Sequence, residues 1–138
     1  MEKYTVTIVN LGTKEEMKIV VNADEGETSD NIILSTTLDG EDITASHYSY
    51  LPTYQSLRDS LLQKGYGVKC NGSRLNAIQS GMMSANSNIY LAELGKQAMN
   101  ENMANIYEYA DIDEFPDTLE QMQFFRMWMK SLTERKEG

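Results

Sequence analysis

The sequence predicts an α+β domain: an antiparallel sheet of five or six strands with two main helices, at about residues 50–64 and 118–134, packed on one face. Three observations predict it: period-two runs near the N-terminus, a helical spacing of apolar residues in mid-chain, and a second helical stripe near the C-terminus. The chain has 138 residues, 41% of them hydrophobic and 24% charged, which is enough to bury a core without disulfides or metals. Residues 1–138 are therefore predicted to form one domain.

The N-terminal third is predicted to form an antiparallel meander. Residues 4–9 and 17–21 each alternate apolar and polar side chains, a pattern typical of half-buried strands. The turn-forming sequence at residues 11–14 lies between them and favours a hairpin. Residues 32–38 read as a third strand that ends at Asp39-Gly40.

A helix is predicted over residues 50–64. Apolar residues recur there at spacings of four, three and four positions, in place of the alternation seen in the predicted strands. Ser49 can cap its start and Gly65 stands where a left-handed C-terminal cap residue belongs. The apolar face consists of Tyr50, Tyr54, Leu57 and Leu61. The other face is predicted to carry Gln55, Arg58, Asp59 and Gln63.

A second hairpin is predicted around Asn71-Gly72, the dipeptide best suited to a type I′ turn because both positions need positive φ. Residues 66–70 would enter the turn and residues 73–78 would return from it. Small and polar residues predict a loop over residues 79–88. Another strand is predicted over residues 89–94.

The C-terminal helix has the clearest pattern. Its predicted apolar stripe consists of Met122, Phe125, Met129 and Leu132, widened by Phe124 and Trp128. Thr118 and Gln121 fit a capping box at its start. The basic residues Lys130, Arg135 and Lys136 lie at the end where the helix dipole is negative.

Charge separates along the chain. With 12 Lys plus Arg against 21 Asp plus Glu, the net charge is −9, which disfavours nucleic acid or an anionic membrane as a partner and leaves a basic protein open. Residues 19–57 hold seven acids and no Lys or Arg, and residues 101–120 hold seven more, again with no base. The resulting field is directional and favours fast association with a basic partner.

The two acidic segments have different interpretations. Between residues 19 and 57 the acids sit in predicted turns and are interpreted as solvated surface. Between residues 101 and 120 they alternate with aromatic side chains, which is typical of an interface, although solvated surface remains the alternative. The predicted partner-binding residues are Tyr107, Glu108, Tyr109, Asp111, Asp113, Glu114 and Asp117.

Catalysis and metal binding find little support in the sequence. Cys70 is the obvious nucleophile and His47 its only conventional base, but a cysteine beside a tight turn is more often a small buried side chain. One Cys and one His cannot supply a usual structural zinc site, so no metal, cofactor or catalytic residue is assigned. The first residues have no apolar core of a signal peptide, and a cytoplasmic location is expected.

Residues 68–98 resemble a known family. The order Val-Lys-Cys-Asn-Gly-Ser-Arg, then Gln-Ser-Gly-Met, then Leu-Gly-Lys-Gln-Ala is similar to that of small bacterial proteins, some of which are immunity proteins of contact-dependent growth inhibition and related polymorphic toxin systems. The resemblance extends loosely to the C-terminal helix. The matching positions are Cys70, Asn71, Gly72, Arg74, Ser80, Gly81 and Met82.

The resemblance implies an immunity protein rather than an enzyme. We expect a monomer that binds the C-terminal domain of a basic toxin, with a nuclease as the class that fits the acidity, and that blocks its active site or substrate groove. Two alternatives stay open. One is a small cytosolic enzyme that uses Cys70 or a carboxylate, and the other is a regulatory adaptor with a basic partner.

Overall fold

The α+β fold class is confirmed by a computed structural model, which describes residues 1–134. In chain order its strands and helices are β1 (Glu2–Asn10), β2 (Glu16–Glu25), β3 (Ile32–Leu38), β4 (Glu41–His47), α1 (Tyr50–Gln63), β5 (Tyr66–Val68), β6 (Ala77–Ile78), β7 (Asn88–Leu91), β8 (Met103–Asn105) and α2 (Thr118–Glu134). Short 3-10 turns lie at Asn71–Ser73, Gly81–Met83 and Asn100–Asn102. The strands form two sheets, one of five strands and one of three.

The larger sheet is antiparallel throughout, in the order β4-β3-β2-β1-β5. Its central register places Val6 opposite Ile19 and Tyr4 opposite Val21, so the period-two apolar residues of both strands share one face. Helix α1 packs against that face and contacts β3, β4 and β5. The main core of the molecule lies between them.

The type I′ geometry that the sequence suggested for Asn71-Gly72 occurs instead at Asp39-Gly40. Asp39 has φ +52° and Gly40 has φ +77°, and this turn joins β3 to β4, a strand that the sequence analysis did not predict.

The predicted hairpin across Asn71-Gly72 is wrong. Gly72 does not have a positive φ, and residues 71–73 form a 3-10 turn. Strand β5 pairs with β1, while β6 pairs with β7 in the smaller sheet. The reason is long-range, because the amides of Asn71 and Gly72 donate to the carbonyls of Glu108 and Ile106, each at 3.0 Å.

Helix α1 matches its prediction in extent and in its apolar face. Gly65 follows it with φ +91°, as expected for a left-handed cap residue. Ser49 is the N-cap residue, but its side chain makes no capping hydrogen bond, and the amide of Leu51 donates to Gln79 Oε1 instead. The polar face is partly wrong, since Gln55 and Arg58 are buried.

Helix α2 packs with the smaller sheet, whose order is β6-β7-β8. Its buried residues are Gln121 and Trp128, whereas Met122 and Met129 of the predicted stripe are exposed. The predicted capping box is also wrong, because Asp117 Oδ1 accepts from the amide of Glu120 and Glu120 Oε1 accepts from the amide of Asp117. Lys130 forms an ion pair with Glu134; Arg135 and Lys136 lie outside the described residues.

Candidate protein-binding site

The acidic segment is held in place by backbone pairing with the segment that follows β5. Tyr109 forms an isolated antiparallel bridge with Cys70. The amide of Ala110 donates to the carbonyl of Lys69 at 3.1 Å, next to the bonds from the amides of Asn71 and Gly72. Because these bonds join residues about 35 to 40 positions apart, no local pattern in the sequence predicts them.

Tyr107 belongs to the core rather than to a binding surface. Its ring stacks on that of Tyr4, with centroids 4.0 Å apart, and its hydroxyl lies 2.8 Å from that of Tyr50. Glu25 accepts hydrogen bonds from the hydroxyls of both Tyr4 and Tyr50. Burial raises the pKa of Tyr50 and Tyr107, so both hydroxyls stay neutral. The contacts of Tyr107 with Tyr4 and Tyr50 attach the acidic segment to the core.

Lys69 neutralises part of the predicted site. Its ammonium donates to Glu16 at 2.9 Å and to Asp111 at 3.0 Å, and it lies 5.7 Å from the ring centroid of Tyr109. The hydrogen bond from Lys69 holds the pKa of the Asp111 carboxyl below its usual value. Glu108 is exposed, and its Oε1 accepts from the amide of Asn105.

The remaining acids border a surface groove of about 640 Å³, which we call the acidic groove. Its acids are Asp111, Asp113, Glu114 and Glu120, its one basic residue is Arg74, and its apolar lining consists of Leu75, Ile112, Phe115 and Pro116. A smaller depression of about 310 Å³ shares Phe115 and Glu120 with this groove and is also lined by Asp59 and Asp117. Carboxylates and apolar side chains are therefore interleaved along one face.

Phe115 can pack where it does because residue 67 is a glycine. A Cβ atom at Gly67 would lie 2.5 Å from the Phe115 ring, so the ring packs directly over the β5 backbone. Asp117 caps α2 and is half-buried. Among residues 1–134, Asp113 and Glu114 have no ion-pair partner, which makes them the carboxylates most available to a cationic ligand.

A buried polar cluster holds the start of α2 beneath the acidic groove. Arg58 Nε donates to Asp59 Oδ1 at 2.9 Å, and its Nη2 donates to Gln121 Oε1 at 2.6 Å. Asp59 in turn accepts from the amide and the hydroxyl of Thr118. Gln121 Nε2 donates to the carbonyls of Gly72 and Arg74, which ties α2 to the 3-10 turn.

Cys70 and His47 do not form a catalytic pair. Cys70 is completely buried, with Tyr54 Oη 3.0 Å from its sulfur, and burial raises the pKa of its thiol. His47 ends the edge strand β4, while Cys70 follows β5 at the opposite edge of the sheet, with α1 packed against both strands. The interpretation of Cys70 as a small buried side chain is confirmed.

No protein-family model matches the chain, and no curated protein is significantly similar to it. Within residues 1–134 no group of three or more His, Cys, Asp or Glu side chains could hold a metal ion. Nor does that part of the chain contain a helix long and apolar enough to span a membrane.

We expect the Cys70 thiol to be unreactive in the folded protein. In the folded protein its reaction with a thiol reagent such as dithionitrobenzoate should proceed only as fast as the protein opens, because the thiol is buried and its pKa is raised. Cys70→Ser should lose some stability but keep its partner-binding activity. Rapid labelling, or a well-folded Cys70→Ser protein without activity, would restore the enzyme alternative.

The sequence analysis missed several residues of this site. Leu75, Phe115 and Glu120 line the acidic groove but were not selected, and Arg58 was assigned to a solvent-exposed face. A signal for Arg58 was present, since it follows Tyr54 by four positions and so borders the apolar face of α1. A signal for Phe115 was also present, since it is one of the aromatic side chains that alternate with the acids of residues 101–120. For Leu75 no local signal exists, because its proximity to the acidic segment depends on the path of residues 105–117.

Proposed function

We propose that this protein is an immunity protein that binds a basic toxin domain through the acidic groove and blocks its active site or substrate groove. The observation that carries the proposal is that Asp113 and Glu114, which have no ion-pair partner within residues 1–134, lie beside Phe115 on the acidic groove. The segment that leads to them is held by backbone hydrogen bonds at Glu108 and Ala110. Charged and aromatic side chains of this kind suit a protein interface with a polar rim and an apolar centre.

A nuclease is the toxin class that fits best. Enzymes that bind nucleic acid line their grooves with Lys and Arg to neutralise phosphates. Carboxylates spaced along the acidic groove can bind those Lys and Arg side chains in place of the phosphates of the substrate. The resemblance of residues 68–98 to immunity proteins supports the same function, and a cytoplasmic location, where such a toxin would act, belongs to the proposal.

The first test is direct binding and protection. The protein should form a stoichiometric complex with the toxin C-terminal domain encoded beside its gene, and co-expression should abolish that domain's toxicity. Purified components that neither associate nor inhibit would overturn the proposal.

The second test uses the two free carboxylates. Asp113→Asn combined with Glu114→Gln should slow association with the toxin domain roughly tenfold at low ionic strength and flatten its salt dependence, as measured by stopped-flow fluorescence. Asp111 and Asp117 stay unchanged, because Lys69 holds the first and the second caps α2.

A matched control separates local from net charge. Asp30→Asn combined with Asp39→Asn removes the same two charges from a different part of the surface, and asparagine tolerates the positive φ of Asp39. This variant should associate at nearly the wild-type rate. Equal rates for all three proteins would show that the acidic groove is only solvated surface.

A further inference from the structure

Helix α2 separates the acidic groove from a second, apolar groove. This cavity of about 420 Å³, here called the apolar groove, lies between the start of α1, the 3-10 turn Gly81–Met83 and α2. Its apolar lining consists of Leu51, Pro52, Ala77, Ile78, Met122 and Phe125. The volume is at the lower end of the range for ligand pockets, about 300–1,000 Å³, and leaves room for a large apolar side chain.

The apolar groove stays open because α2 packs off the centre of its own apolar stripe. An α-helix advances about 100° per residue, so Met122 lies about 100° around α2 from the buried Gln121, and Met129 lies as far from the buried Trp128. Met122 is 45% exposed as a result.

Charge distinguishes the two grooves. Within the described residues 1–134, Arg126 is the one charged residue that lines the apolar groove, and it has no ion-pair partner there. No carboxylate of that part of the chain lines the groove, so the groove offers no opposite charge to a cationic side chain. An apolar side chain with an acidic neighbour for Arg126 matches both properties.

We propose that the apolar groove receives an aliphatic or aromatic anchor side chain of the same toxin domain whose basic side chains enter the acidic groove. This inference rests on the proposed function. The two grooves meet at consecutive residues, since Glu120 lines one and Gln121 lines the other, on a helix only about 10–12 Å wide. An interface of ordinary size, about 800 Å² on each partner, placed across α2 covers both.

The two grooves then have separate roles. Carboxylates at the acidic groove steer encounter and act mainly on the association rate. A buried apolar anchor holds the complex together and acts mainly on the dissociation rate. Methionine suits the second role, because its flexible and polarisable side chain adapts to the shape of an incoming group.

The test compares Met122, which lines the groove, with a methionine of the same helix that does not. Met122→Ser should raise the dissociation rate from the toxin domain at least tenfold and leave the association rate within about twofold of wild type. The control is Met127→Ser, on the same helix, where Met127 is 57% exposed but lies about 140° around α2 from Met122. It should dissociate like the wild type. Thermal unfolding of all three proteins is measured alongside.

The outcomes separate this inference from the proposed function. A wild-type protein that does not bind the toxin domain overturns the proposed function, and the anchor with it. If the wild-type protein binds and Met122→Ser dissociates at an unchanged rate, the anchor alone is overturned. Equal acceleration in Met122→Ser and in Met127→Ser also overturns it, because the effect would then not be specific to the groove.

Discussion

Replacing Arg58 with alanine should lower the free energy of unfolding by about 3 kcal/mol or more. Arg58 is 1% exposed, and loss of its side chain leaves the Asp59 carboxylate without its cation and removes a donor from Gln121 Oε1. It also opens a cavity beside Tyr54, whose ring centroid lies 5.9 Å from the guanidinium carbon. Urea denaturation followed by fluorescence of the single tryptophan, Trp128 on α2, measures the change.

Two further variants help to interpret Arg58→Ala. One is a control at an exposed arginine, and the other removes the charge of Arg58 but keeps most of its volume. Arg126→Ala removes an exposed arginine that has no ion pair within the described part of the chain and should change stability by less than about 0.5 kcal/mol. Arg58→Met keeps most of the volume and should lose less than Arg58→Ala. A loss below about 1 kcal/mol for Arg58→Ala would show that the buried cluster does not hold α2 in place.

Substitution of Gly72 should be the second strongly destabilising change. A Cβ atom there would lie 2.8 Å from Ile106 Cγ2 and 2.9 Å from Tyr54 Cε2, both in the core. Gly72→Ala should therefore cost about 1–3 kcal/mol, and Gly72→Val more, because its extra methyl groups meet the same core atoms. The cause is overpacking and not backbone strain, since the φ of Gly72 is not positive.

Gly81 provides the matched control for Gly72. A Cβ atom at Gly81 meets no atom within 4 Å, and its φ is also not positive. Gly81→Ala should therefore leave the thermal midpoint almost unchanged. If Gly72→Ala unfolds at the same temperature as Gly81→Ala, the close approach of this turn to Ile106 and Tyr54 is not part of the folded protein.

Elements that depend on local periodicity could be predicted from the sequence. The alternation in residues 4–9 and 17–21 predicted β1 and β2, and the spacing of Tyr50, Tyr54, Leu57 and Leu61 predicted α1. In each case the residues that decide the structure are close neighbours along the chain. Strand β4 could also have been predicted, because Asp39-Gly40 is a hairpin signal followed by alternating residues.

Turns and caps with more than one possible partner could not be predicted. Asn71-Gly72 has the right composition for a type I′ turn, but hydrogen bonds to Glu108 and Ile106 favour a different conformation. Gln121 fits a capping box, but its side chain instead donates to the carbonyls of Gly72 and Arg74 and accepts from Arg58. Asp117 and Glu120 supply the cap instead. Tertiary hydrogen bonds override local preferences wherever a polar group is buried.

The α+β class, the extent of α1 and the concentration of acids in residues 101–120 follow from the amino-acid sequence, because periodicity and composition are local properties. Which of those acids have an ion-pair partner within residues 1–134 depends on the folded arrangement. Lys69 lies 42 positions from Asp111 and neutralises it, while Tyr107 lies in the core between Tyr4 and Tyr50. Coulomb attraction and burial act through space, so the availability of Asp113 and Glu114 depends on contacts that no local pattern encodes.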